Sequence, residues 1–331
     1  MLKFFEFLFN LFRPAQPVQP KPPADNLTEP AQISHSKVLA LVYNPLMDSS
    51  GTTLQQKMNW YNVNDLISGF IADLLEVSGG MARYQIVERV DLNEFPLKTD
   101  GYRYTPQEYL RVWQSASAPH MPQEADYYAI LNQFQILQRV ARNEIDEVWI
   151  FGFPHAGFYE SIMAGPGAFW CNAPALANTA ASKRRFVVMG FSYERYLGEM
   201  LESYGHRAES IMEKTFARVS AEKNLWKRFT RYEKIAPGKA ACGNIHFAPN
   251  SQRDYEWANP AAVLSECYDW KNNFPNFKGD VRSVTAAEWG GGDMRAHHQW
   301  WLDHFPRIAG RTNGVHNNWW QYVVHPQNVT V

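Results

Sequence analysis

Arg195, Glu199, Glu202, His206, Glu209 and Glu213 follow one another at spacings of 4, 3, 4, 3 and 4. On an α-helix those spacings put every one of these side chains on a single face. A carboxylate and an imidazole one turn apart, as Glu202 and His206 are, can hold one divalent cation. Zinc takes nitrogen and oxygen ligands tetrahedrally, and a catalytic zinc site keeps one position for water. That water becomes a nucleophile near neutral pH. The expected ligands are Glu202, His206 and His246, the last from the loop Gly243-Asn244-Ile245-His246. Glu199 or Glu209 is the expected general base, with Arg195 or His155 as an electrostatic or orienting group. The plainer alternative is that this stripe is the solvated side of an amphipathic helix.

Two other constellations compete. Asp293, His297 and His304 are spaced 4 and 7 and also share a helical face, with His298 or His316 nearby. They could hold a metal of their own, or His297 or His304 could complete the first set. Glu160, Glu194, Glu199 and Glu288 could instead supply the paired carboxylates of a metal-free glycosidase. Exposed tryptophans would then be the sugar platforms, although most tryptophans in a chain of this size belong to the core.

The elements that must position these groups read as an α/β fold. Strands are expected over 37–43, 84–90, 147–153 and 185–191, and helices over 64–77, 105–115 and 126–142. The long stripe-bearing helix follows the last strand. Thr105-Pro106-Gln107-Glu108 is a capping box with proline at the first helical position. Near-continuous apolar strands alternating with helices point to a mostly parallel sheet flanked by helices. Ligands of such sheets bind beyond the carboxyl ends of the strands. Here those ends deliver Asn44, His155 and Tyr193-Glu194-Arg195. From about 234 onward regular periodicity fades into a loop-rich region heavy in Trp and His. The expected organisation is 1–13 a terminal helix, 14–34 a Pro-rich linker, 35–233 the α/β domain, and 234–331 the loop-rich region packed on it.

The run Glu202-Ser203-Tyr204-Gly205-His206 resembles the helix of the zincin metallopeptidases, His-Glu-x-x-His, often with Gly before the second His. The departures are that Glu202 stands at the first histidine and Ser203 at the catalytic glutamate, which removes the base of ordinary zincin chemistry. Over 38–322 the chain is also similar to an uncharacterised family of bacterial proteins without an assigned activity. The similar phrases are Asp146-Glu-Val-Trp149, Met189-Gly-Phe-Ser-Tyr-Glu-Arg195, Gly205-His-Arg-Ala-Glu209 and Asn317-Asn-Trp-Trp320.

In Met1–Arg13 the polar residues Lys3, Glu6, Asn10 and Arg13 form a narrow stripe on an otherwise Leu/Phe helix. The stretch is too short to span a bilayer. It suits an interfacial anchor or a docking helix for a partner's groove. The Pro-rich segment after it is expected to be extended and to pack against nothing. The 331 residues carry a net charge of −1 and a pI near 6.8, which leaves no footprint for nucleic acid. Three scattered cysteines leave the compartment open, with a peripheral membrane or assembly-bound position on the cytoplasmic side expected. Phosphate-binding loops, dinucleotide fingerprints and the Gly-x-Ser-x-Gly elbow are absent. The functional expectation is a metal-dependent hydrolase acting on a peptide or glycan and tethered by residues 1–13. A binding or scaffold protein with a Trp-rich recognition surface is the alternative from another class.

Overall fold

The computed structural model describes residues 28–330. The expected terminal helix over 1–13 and most of the linker lie outside them. The chain opens with β1 (Ser34–Tyr43), the short helix α1 (Leu54–Met58), α2 (Val63–Val77) and β2 (Ala82–Leu92). Next come α3 (Pro106–Trp113), α4 (Tyr127–Gln133), α5 (Ile136–Ala141), β3 (Glu147–Gly152), β4 (Ser161–Ala164) and β5 (Phe186–Ser192). The long helix α6 (Leu197–Phe216) leads into α7 (Leu225–Phe229).

The sheet runs in the order β2-β1-β3-β5-β4, parallel throughout except for the edge strand β4, which pairs antiparallel with β5. This is the α/β architecture that the alternating strand and helix patterns imply. β3 is buried at every residue, as a central strand covered on both faces must be. α6 packs one side through Leu197, Leu201, Tyr204, Ala208 and Ile211, all at most 2 % exposed. Its rotation is pinned by a buried ion pair. Arg207 Nη1 and Nη2 donate to the Glu147 carboxylate at 2.9 and 2.8 Å, and the same guanidinium caps the carbonyls of Val323 and Val324.

Three expectations need correction. The helix over 126–142 is two helices, broken at Gln135 with φ of +50°. Leu131 and Ile136 would lie about 140° apart on a straight helix, and the break lets both be buried. The linker was expected to pack against nothing, yet its end is tied down. Glu29 pairs with Arg311 at 2.6 Å and with His316 at 2.8 Å, its carbonyl accepts from Gly310, and β1 begins at Ser34. Finally, the tryptophans of the C-terminal region form a core, not a recognition surface. Trp270, Trp289, Trp301, Trp319 and Trp320 are each at most 2 % exposed.

The C-terminal region is loop-rich but ordered by two small hairpins, β6 (Val263–Ser265) with β7 (Arg282–Val284) and β8 (Arg307–Thr312) with β9 (Val315–Asn318). Helices α8 (Cys267–Asn273), α9 (Met294–Asp303) and α10 (Trp320–Val324) stand among them. Both α9 and α10 pack on α6. No helix among the described residues is long and apolar enough to cross a membrane.

Candidate metal centre

The stripe on α6 is solvated at its ends, Arg195 and Glu213, but roofed over at its middle. Its central members, Glu202, His206 and Glu209, face the loop that carries His246, and Glu202 is only 5 % exposed. Two glycines allow that approach. A Cβ on Gly205 would come within 2.3 Å of Ile245 Cδ1, so only glycine lets the loop lie this close to the helix. Gly243 turns with φ of +71°, and a Cβ there would stand 2.0 Å from the Phe247 carbonyl oxygen. Asn244 completes the turn by accepting from the backbone N–H groups of His246 and Phe247 at 3.0 and 2.9 Å.

The result is a convergence of three ligand-type side chains. His246 Nε2 lies 3.0 Å from Glu202 Oε1 and 3.1 Å from His206 Nε2, and His206 Nε2 is 3.9 Å from Glu202 Oε1. Among the described residues this is the one group of His, Cys, Asp or Glu side chains whose donor atoms meet within ligand distance, and it could hold a metal. Each imidazole is anchored from behind. His206 Nδ1 lies 3.1 Å from Glu209 Oε2, and His246 Nδ1 lies 3.0 Å from Asp254 Oδ1. A carboxylate behind Nδ1 orients the ring, and a cation that displaced the Nε2 proton would meet an inward-facing lone pair, which is the usual support of a metal-bound histidine.

Charge points the same way. Four carboxylates, from Glu160, Glu202, Glu209 and Asp254, surround two imidazoles. Burial alone would raise the Glu202 carboxyl, but hydrogen bonds from His246 and Tyr255 outweigh it and hold the group at about 2. Burial likewise depresses the His206 imidazole, and the Glu209 hydrogen bond with the charges of Glu209, Glu160 and Glu202 more than reverses this. The cluster has an excess of negative charge that a cation would balance.

Comparison with protein-family models, curated proteins and solved structures finds no match for the chain.

The other expected site residues fall elsewhere. Glu209 sits behind His206 and also accepts from the Ile245 N–H at 3.2 Å, so it faces away from the ligand atoms. Glu199 closes the first turn of α6 by accepting from the Tyr196 N–H at 3.2 Å. It lines a cavity of about 240 Å³ at the carboxyl ends of β3 and β5, together with Arg195, His155, Glu194 and Glu160. Arg195 is exposed beside Glu194 at 3.7 Å. His155 has a left-handed backbone, and its carbonyl accepts from the buried Lys98 ammonium at 2.7 Å. Neither joins the ligand cluster.

The second metal candidate does not assemble. Asp293 caps the start of α9 by accepting from Ala296 N–H, and His304 Nδ1 bonds the Trp300 carbonyl at 2.7 Å. His297 is fully buried with its Nδ1 3.2 Å from that of His298. Of the glycosidase carboxylates, Glu288 is engaged by the Tyr268 hydroxyl and lies outside the cavity that Glu160, Glu194 and Glu199 share.

Glu160 has a different importance. Its Oε2 is 3.9 Å from His206 Nε2 and accepts from Asn172 Nδ2 at 2.6 Å. It therefore stands between the cavity and a groove of about 460 Å³ lined by His206, Asn172 and the exposed Trp170. Asp254, Tyr255 and Asn172 escape a reading of the sequence because they come from irregular loops. The one available signal is Arg253-Asp254-Tyr255-Glu256, a dense polar run soon after His246.

Proposed function

We propose that the protein is a metal-dependent hydrolase acting on a peptide or glycan, with zinc held by Glu202, His206 and His246. The observation that carries this reading is the pair of carboxylate-anchored imidazoles whose inner nitrogens converge with Glu202 Oε1. Ligands at 2.0–2.1 Å from a tetrahedral ion stand about 3.3 Å apart, and the observed separations of 3.0, 3.1 and 3.9 Å bracket that spacing. A bound zinc would supply a nucleophilic water near neutral pH. Glu160 is the better base than Glu199 or Glu209, since it lies on the Nε2 side of His206 while those two are engaged in capping and in holding the ring. The adjoining cavity and groove give a substrate two places to lie. Residues 1–13 supply the tether to a membrane surface or partner, on the strength of their stripe pattern.

Metal analysis of the purified protein tests this. One equivalent of zinc is expected, lost in His206→Ala. Absence of stoichiometric metal, with hydrolysis that survives chelation but not Glu160→Gln, would favour the metal-free glycosidase, which the three carboxylates of the shared cavity keep in view.

A further inference from the structure

The hydroxyl of Tyr255 enters the same cluster. It donates to Glu202 Oε1 at 2.7 Å and lies 3.1 Å from His246 Nε2. With the separations of 3.0, 3.1 and 3.9 Å among the other three atoms, these bring four donor atoms into one cluster. A tetrahedral zinc held by the first three would keep its fourth corner for water. The phenol oxygen is a donor within reach of that corner.

The side chain is brought there deliberately by its surroundings. Tyr255 has φ of +58°, a left-handed conformation that a bulky residue seldom adopts. Such outliers persist where the surrounding structure over-determines them, and they concentrate at functional sites. Here the Glu256 carboxylate gathers the backbone N–H groups of Gln252 and Arg253 at 2.7 and 3.3 Å and closes the turn around the outlier. The Tyr255 ring lies against His246 with centroids 4.4 Å apart and meets Trp257 edge-on at 5.2 Å. Yet the residue is 47 % exposed, so it covers the site from the solvent side and has open space to turn into.

We propose that Tyr255 is the fourth donor of the resting metal centre and closes it. The site becomes reactive only when this side chain swings out and leaves the corner to water or to a substrate oxygen. The proposal rests on the metal-dependent reading above and adds a regulatory step to it. A phenol in this position has one other possible use, as a hydrogen-bond donor to a ligand already bound to the metal. The two roles predict opposite signs when the hydroxyl is removed.

The experiment loads the full-length protein and its Tyr255→Phe variant with Co²⁺ and titrates azide while following the visible absorption of the cobalt. Azide binds the metal directly and must compete with the phenol for the fourth corner. If the corner is open in only a tenth of wild-type molecules, apparent affinity falls by that fraction, so Tyr255→Phe should bind azide roughly tenfold more tightly. Tyr255→Ala should behave the same way. Equal affinity in the three proteins would mean that the phenol is not in the ligand set. Weaker binding in the variants would mean that it serves as a donor to bound ligand, and either result overturns the closure. If the wild type takes up no cobalt, the metal reading itself falls and the closure with it. That outcome is distinct from the other two.

Discussion

At the scale of single residues, the site is defined as much by what stands behind the imidazoles as by the ligands. Asp254 and Glu209 meet Nδ1 of His246 and His206 and so orient the two rings. Supporting partners of this kind are worth about 10–100-fold in metal affinity. If the cluster holds a metal as proposed, Asp254→Asn and Glu209→Gln should each weaken metal binding by that order in a chelator competition assay without changing the melting temperature greatly. A second residue-level expectation concerns His304. Burial depresses its imidazole to about 4, against an opposing contribution from the Trp300 carbonyl. The unfolded chain, titrating near 6.5, then binds more protons than the folded one between those values, so stability falls as pH drops through that window. Chemical denaturation from pH 7 to 4 should show it, and His304→Gln should flatten the profile.

Glu202 and His206 were visible in the sequence because helical spacing is a strong signal, and His246 because its loop is marked by glycine and asparagine. Their carboxylate supports were not all legible. Glu209 shares the stripe and its spacing suits a base, but spacing does not say which imidazole nitrogen a carboxylate meets. Asp254 and Tyr255 belong to a turn with no periodicity, and only the folded loop brings them to the site.

At the scale of elements, α6 decides where the site lies. Its inward face is locked by Arg207 and Glu147, both almost without exposure. Removing one partner strands the other charge, which costs about 3–5 kcal/mol. Arg207→Met should therefore lower stability by that order in urea unfolding. Gly205 poses a contest of magnitudes. Alanine gains about 1 kcal/mol of helix propensity over glycine, while overpacking costs about 1–3 kcal/mol. With Ile245 Cδ1 at 2.3 Å from the added carbon, overpacking should win. Gly205→Ala is expected to be destabilised and, because Ile245 precedes His246, to bind metal more weakly. A variant with unchanged stability and affinity would show that the loop yields freely. The strands and α6 were legible because apolar runs and stripes are long. The break at Gln135 was not, since it resolves a conflict between two buried leucine and isoleucine positions that only packing exposes.

At the scale of the whole molecule, the C-terminal region packs on the α/β part of the fold and buries most of its tryptophans. Its composition was plain in the sequence, but counting tryptophans does not say which side of the surface they occupy. The end of the linker is also structural. Glu29 bridges to Arg311 and His316, and the carbonyl of Gln32 accepts from Asn318. A chain starting at Ser36 loses these bonds and the first residues of β1, and it should melt several degrees below one starting at Thr28, as a loss of about 1–2 kcal/mol implies for a domain of this size.

The two imidazoles are separated by 40 positions along the chain. An ion shared between them is a cross-link that ties the α/β core to the loop-rich C-terminal part. Because the unfolded chain has no preformed site, such an ion would stabilise the folded state by mass action, the more so as its free concentration exceeds its dissociation constant. On the proposed reading, metal content would become a proofreading signal for completion of the fold. A chain that has not yet docked residues 243–257 would neither hold the ion nor hide that segment from proteases, and a loaded chain would do both at once.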